Sequence, residues 1–141
     1  MAGPEPAAVD ASVAVKWFVP EADSDSAIAL REAHEDGRVL LAAPTLLVYE
    51  VLNALRYEPR MGAERVEAAG REITDLQIAL DPASPDRVAE AVRTAYRTGL
   101  TVYDAAYVAL ADHLECALYS ADEQQLAADP ARARHIRDFK R

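Results

Sequence analysis

Short apolar runs alternate along the chain with longer segments whose apolar residues recur every three or four positions. The two periods predict strands and helices in turn. Ala7-Ala8-Val9 reads as a short buried strand ending at Asp10-Ala11-Ser12, and Val13 to Phe18, apolar around Lys16, as a helical turn closed by Pro20. Asp23 or Ser24 opens a helix through Ala27, Ile28, Leu30 and Ala33, and Gly37 stops it. His34 falls in its last turn and reads as a surface residue whose charge suits the helix end. Arg38 to Ala43 is a second buried strand. Pro44 fits the first turn of a helix running to about Tyr57, with Pro59 beyond its end.

Gly62 starts a further helix whose stripe Val66, Ala69, Ile73, Leu76 and Leu80 is either core or a subunit interface. Asp81-Pro-Ala-Ser is a turn. Ser84-Pro85-Asp86 is a strong helix start, Gly99 ends that helix, and Val88, Ala91, Val92 and Ala95 are its buried face. Leu100 to Leu110 is apolar almost all round, through Val102, Ala105, Ala106, Val108, Ala109 and Leu110, and so predicts a central, buried helix. Asp112 and Glu115 beyond it read as solvated charge. Cys116 to Tyr119 is a third strand ending in Ser120-Ala121-Asp122, Glu123 to Leu126 opens a short helix, and Arg134 to Phe139 is a last strand. Short strands alternating with helices predict an α/β domain with a parallel sheet, helices on both faces and right-handed crossovers.

Composition narrows the function. The 141 residues suffice for one domain, 1–141, with a proper core, and no repeat or linker divides them. The net charge is -9, so the chain is no generic nucleic-acid binder; any such work needs local Arg or bound cations. The one basic concentration, Arg132, Arg134, Arg137, Lys140 and Arg141, reads as a solvated edge or as a phosphate or partner contact. The single cysteine, Cys116, predicts a core residue in a reducing, cytoplasmic setting. Met1 to Pro6 has neither a basic region nor an apolar core and predicts no signal peptide. The most apolar run, Val39 to Leu55, contains Pro44, Glu50 and Asn53 and predicts no membrane span.

Four acids stand in core-like sequence without matched cations: Asp10, Glu50, Asp104 and Asp122. For Asp104 a capping box with Thr101 is an alternative, and for Glu50 a solvated place at the helix rim. Asp10 and Asp122 directly follow apolar strands, which is where ligands bind in open parallel sheets, and Asp104 opens a helix that faces the same edge. Oxygen ligands without His or Cys favour Mg2+ or Mn2+ over zinc. Such an ion orients water and neutralises charge on a phosphodiester undergoing in-line displacement, with one or two ions per site. No glycine-rich phosphate loop, nucleophile elbow or dinucleotide fingerprint competes, and Cys116 lacks a convincing His partner.

The stretches Val9-Asp10 to Glu21, Tyr49-Glu50-Val-Leu-Asn53-Ala-Leu55, Thr101-Val-Tyr-Asp104-Ala-Ala-Tyr-Val-Ala-Leu110-Ala and Tyr119-Ser120-Ala-Asp122 resemble the PIN-domain family, in the right order and over essentially the whole chain. The group that looks nearest is that of VapC-type toxins. The resemblance implies a three-layer fold with a five-stranded parallel sheet flanked by helices, and a Mg2+- or Mn2+-dependent endoribonuclease acting on RNA. By motif match, Asp10 and Asp104 would be direct metal ligands. Glu50 would bind metal or position water, and Asp122 would act directly, through water or at a second ion, with Glu123 beside it as a possible substitute. Ser12, Asn53 and Ser120 would sit behind the ligands or touch the scissile phosphate. The family further implies a homodimer and a small VapB-type antitoxin.

Two other readings compete. One is a catalytically weak PIN-like binding module acting through dimerisation and antitoxin binding; the complete acidic set on apolar faces weighs against it. The other is a receiver-like phosphoacceptor domain, which needs a lysine after a late strand; Lys16 and Lys140, the only lysines, are not placed for it.

Overall fold

A computed structural model describes residues 3–141; Met1 and Ala2, part of the stretch read as lacking a leader, lie outside the described residues. The five strands are β1 (Glu5–Val9), β2 (Val39–Pro44), β3 (Ala79–Asp81), β4 (Ala117–Ser120) and β5 (Ala133–His135). They form one sheet in the order β3-β2-β1-β4-β5 with every pairing parallel. Among the described residues seven α-helices connect them: α1 (Ala11–Ala14), α2 (Ser24–Glu35), α3 (Leu46–Arg56), α4 (Ala63–Asp75), α5 (Pro85–Thr98), α6 (Val102–Leu114) and α7 (Glu123–Ala128). The expected three-layer α/β architecture is the one observed. The strand order reverses between β1 and β4, so the chain segments leaving those two strands flank the crevice where such sheets bind ligands.

The local chemistry explains most boundaries. β1 is a central strand, yet Pro6 is tolerated because β4 pairs only from Ala7 onward. The Ser84 hydroxyl accepts the Arg87 amide at 3.3 Å and Gly99 turns left-handed at φ 79, so α5 starts and stops where its punctuation predicts. Helix α6 is buried along Ala105, Tyr107, Val108, Ala109, Leu110 and Ala111 and lies against β1, β2 and β4, as a nearly all-apolar helix must. The core also takes in Leu30, Leu41, Leu47, Val51, Leu55, Ile73, Leu118 and Ile136, all closed to solvent.

Several expectations need correction. Pro44 is not in the first turn of α3 but ends β2, opposite Asp81 in register. The stripe from Val66 does not continue as helix to Leu80. The helix ends at Asp75, Gln77 turns left-handed at φ 55, and Ala79 to Asp81 form β3. Neither Gly nor Pro marks that break, and Leu80 happens to keep helical spacing. The last strand is shorter than expected, since Ile136 to Asp138 form a 3-10 turn. On α5, Val88 and Val92 are 48% and 38% exposed, and Tyr96 in the same i,i+4 row is 87% exposed. The small side chains of Ala91, Thr94 and Ala95 face inward instead, which lets α5 lie close to α6. Val102 is also exposed, beside Tyr103. His34 is no free surface residue: its Nδ1 accepts the Leu41 amide at 3.1 Å and Nε2 lies 2.7 Å from the Leu76 carbonyl, tying α2 to β2 and to the end of α4.

Candidate active site

Asp10 leaves β1 at the strand-order reversal and caps α1, its Oδ2 accepting the Ser12 amide at 3.0 Å. It is only 5% exposed. Its Oδ1 accepts a hydrogen bond from the Gln125 Nε2 at 3.1 Å. Burial pushes its carboxyl above the ordinary range, and the bonds from Ser12, Gln125 and Ala11 pull part of the way back.

Glu50 lies in the second turn of α3, half-buried, and its Oε1 accepts the Tyr107 hydroxyl at 2.6 Å. Burial raises its proton affinity, the Tyr107 bond opposes this, and the charges of Asp10 and Asp104 raise it further. Burial first, and then the same pairing, push the Tyr107 phenol far above its usual range. Glu50 is therefore neither a solvated rim residue nor an isolated buried charge.

Asp104 sits in the first turn of α6. Its amide donates to the Thr101 hydroxyl at 3.1 Å, but among the described residues no bond returns from its carboxylate to the Thr101 amide, so only half of a capping box exists. Burial raises its carboxyl, then Asp122 and Asp10 by repulsion, with the Thr101 hydroxyl offsetting. Asp122 caps α7, its Oδ1 accepting the Gln124 amide at 2.8 Å while its own amide donates to the Ser120 hydroxyl at 2.9 Å. The four acids thus reach one edge from β1, α3, α6 and β4, where Asp104 feels the charges of Asp122 and Asp10, and Glu50 those of Asp10 and Asp104. Among the described residues none of the four makes an ion pair.

The neighbouring polar residues divide. Ser12 accepts the Ala121 amide at 2.9 Å and so stitches the end of β1 to the end of β4. Ser120 is fully buried between the Asp122 amide and Gln125. Asn53 is exposed and, among the described residues, its side chain makes no hydrogen bond. Glu123 is likewise exposed beside Asp122. Asp112, read as solvated, is instead half-buried against Asp129 and the Arg132 guanidinium, which stands 3.3 Å away. In the basic tail, Arg132 is held by Asp112, Arg141 by Glu32, and Arg134 by the Ala131 and Ala133 carbonyls; Arg137 and Lys140 make no ion pair among the described residues.

Two contributors had no role assigned from sequence: Tyr107, which anchors Glu50, and Gln125, which contacts Asp10. Tyr107 reads as one more core residue of α6, and Gln125 sits in an unremarkable Glu-Gln-Gln run. The only signal was a long amide placed three residues after a strand-end acid.

As a donor set these residues suit a hard divalent cation. All donors are carboxylate oxygens, none is neutralised by a cation, and Asp10 is oriented by bonds that leave it lone pairs. Among the described residues no three His, Cys, Asp or Glu side chains are poised to grip an ion together. An apolar cavity of about 250 Å³ lined by Leu46, Val88, Ala91, Val102 and Tyr103 lies beside this edge and includes none of the four acids.

A family model described as PIN domain matches residues 7–130. Ribonuclease VapC3 of Pyrobaculum aerophilum is 35% identical over 128 residues, which are 87% of this chain and 94% of the relative. The crystal structure of PAE2754 from Pyrobaculum aerophilum superposes with a TM-score of 0.66 at 26% identity, covering 94% of this chain and 90% of that one. A toxin–antitoxin complex from Klebsiella pneumoniae contains a chain of the same fold, with a TM-score of 0.67 at 17% identity and coverage of 92% and 97%. The chain belongs to the PIN-domain family, among its VapC proteins.

Proposed function

We propose that this protein is a Mg2+- or Mn2+-dependent endoribonuclease and the toxin of a toxin–antitoxin pair. The observation that carries the reading is the convergence of Asp10, Glu50, Asp104 and Asp122 at one sheet edge, with Asp104 repelled by Asp122 and Asp10, Glu50 repelled by Asp10 and Asp104, and no basic side chain among the described residues paired with any of the four. A fold that keeps such a cluster loses stability unless something positive binds there. The relative's description as a ribonuclease supports RNA as the substrate, and the Klebsiella complex supports an antitoxin partner.

In this reading Asp10 and Asp104 hold the ion directly, while Glu50 and Asp122 hold it or its waters. The bound ion supplies charge neutralisation at the phosphodiester and a more acidic water. Asp10 is kept in one orientation by the Ser12 amide and Gln125. Glu50 has one oxygen engaged by Tyr107, and the other is left to take the proton of an attacking water. Its raised proton affinity suits it to that task. Ser12 and Ser120 hold the strand ends in place.

A homodimer belongs to the same proposal. Val66 and Leu76 pack against the core with buried Ala69 and Ile73, so the α4 stripe is core. Val88, Val102 and Tyr103 line one apolar cavity, exposed Val92 and Tyr96 continue the Val88 row along α5, and this is the face we assign to the partner copy. A cytoplasmic location accompanies the reading; among the described residues no helix is long and apolar enough to cross a membrane.

The test is cleavage of a mixed RNA pool, with authentic cellular RNAs included, by purified protein with Mg2+ or Mn2+ and with EDTA, beside folded Asp10→Asn and Asp104→Asn variants. Metal-dependent cutting reduced at least roughly a hundredfold in both variants is expected, since removing a ligand forfeits several kcal/mol of charge stabilisation. Cutting that survives in the variants sinks the site. Intact RNA with folded wild type, free of antitoxin, moves the catalytically weak binding module ahead.

A further inference from the structure

Gln125 is fully closed to solvent, the one buried residue of a six-residue helix whose partly buried Ala128 packs against the core. A buried primary amide is costly unless its hydrogen bonds are made. Here they are made at both ends. Its Oε1 accepts the Ser120 hydroxyl at 2.8 Å, and its Nε2 donates to Asp10 Oδ1 at 3.1 Å and to the Asp104 backbone carbonyl at 3.3 Å. The Ser120 hydroxyl is itself fixed, because its oxygen accepts the Asp122 amide at 2.9 Å. The amide therefore has one acceptable orientation. Flipped, its oxygen would face a carboxylate and a carbonyl, and its NH2 would face a hydroxyl oxygen that already accepts a bond.

We infer that Gln125 is a positioning residue that sets the separation and orientation of Asp10 and Asp104 for a divalent cation; this rests on the metal-dependent reading above. Its amide touches the side chain of one acid and the backbone of the other, 115 and 21 residues away in sequence. It does so without charge. An Arg or Lys at this place would hold Asp10 equally well but would neutralise it and displace the ion. A neutral donor orients the carboxylate and leaves its charge available. Partners standing behind metal ligands commonly govern affinity in this way, and their loss weakens binding by roughly 10- to 100-fold.

The test is Mn2+ affinity, read from the paramagnetic resonance of free Mn2+ during titration of the full chain without RNA. Gln125→Met keeps the length and burial of the side chain and removes the amide. It is expected to weaken Mn2+ binding roughly 10- to 100-fold. In the cleavage assay it should raise the Mn2+ concentration needed for half-maximal rate by a similar factor, with the rate at saturating Mn2+ near that of wild type. Ser120→Ala, which leaves Gln125 in place but frees its amide to turn, is expected to weaken binding less, and it carries the test alone if Gln125→Met does not fold. Leu126→Ala loosens the same helix without touching an acid and should leave Mn2+ affinity unchanged. Affinity within twofold of wild type in both Gln125→Met and Ser120→Ala, or an equal loss in Leu126→Ala, overturns the assignment. Wild type that binds no Mn2+ overturns the metal reading itself, whereas wild type that binds while Gln125→Met matches it removes Gln125 alone.

Discussion

Replacing Asp104 by Asn should make the metal-free protein more stable. Asp104 is repelled by Asp122 and Asp10 and in turn raises Glu50, so three like-charge contacts disappear with its charge. At an effective dielectric constant of about 20, two unit charges roughly 6 Å apart repel by about 3 kcal/mol. Asp104 is half-exposed, and solvent screening cuts each contact to about 0.5 kcal/mol. Against this, an anion in the first turn of a helix gains about 0.5 kcal/mol from the helix dipole, which Asn forfeits. The repulsive terms win by about 1 kcal/mol. For a chain of this size that is a rise in Tm of about 4 °C.

The assay is thermal melting at low ionic strength in EDTA and again with excess Mn2+. Wild type gains about 2.7 kcal/mol when the ion is at a hundred times its Kd, and the variant, short of a ligand, gains less, so the order of stability reverses. The pH dependence carries the same sign. Asp10, Glu50 and Asp104 all have raised proton affinity in the fold. Their contribution to stability is present below the ordinary carboxylate pKa and is lost as pH rises through the folded values. Asp104→Asn should flatten that decline. A variant less stable than wild type in EDTA would refute the reasoning and return Asp104 to the capping role, in which losing the carboxylate costs stability with or without metal.

Tyr107→Phe removes the hydroxyl that Glu50 accepts at 2.6 Å and should cost about 1.5 kcal/mol, read from the urea midpoint, since the bond is charge-assisted but Glu50 is partly reached by water. Asp112 is pushed up to about 6 by burial first and then by Asp129, so the pair contributes stability in acid that is lost as pH rises through about 6. Asp129→Asn should therefore stabilise the protein by about 1 kcal/mol at pH 8, after discounting for an Asp112 side chain 40% exposed, and by nothing measurable at pH 4; equal urea midpoint shifts at both pH values would contradict it. Val92→Asp on the exposed row of α5 should convert a dimer to monomer in sedimentation velocity without lowering Tm by more than a few degrees, because the side chain faces out.

What the sequence made legible follows from range. Strands β1, β2 and β4 and helices α5 and α6 are written locally, as apolar runs and as the Ser84, Pro85 and Gly99 signals, and their places emerged to within two residues, except that α6 runs on four residues past Leu110. An acid directly after an apolar run gave Asp10 and Asp122 their places at the sheet edge. β3 was hidden because Gln77, not Gly, takes the left-handed turn that ends the preceding helix segment. The contacts that define the site were hidden for another reason. Tyr107 to Glu50 and Gln125 to Asp10 span 57 and 115 residues, and no local pattern encodes which buried polar group meets which. The exposure of Val88 and Val92 was hidden because an apolar row looks the same whether it faces the core or a partner.

The fold tolerates four uncompensated acids through its backbone. Asp10 and Asp122 are N-caps of α1 and α7, and Asp104 is in the first turn of α6, so three helix starts aim free amides at the acids. Glu50, inside α3, has no such end to lean on, and its Oε1 accepts the Tyr107 hydroxyl instead. Each of these donors is fixed and neutral overall. They stabilise individual carboxylates without cancelling the field the cluster projects outward, which a lysine or arginine would do. On the proposed function, the same design would let a chain of net charge -9 act on a polyanion: most of the attraction would come from the cation held by the cluster, and the rest from basic residues of the tail such as Arg137 and Lys140. It follows that RNA binding and metal binding should rise and fall together with Asp10 and Asp104, whereas neutralising Arg137 or Lys140 should weaken RNA binding and leave Mn2+ affinity untouched.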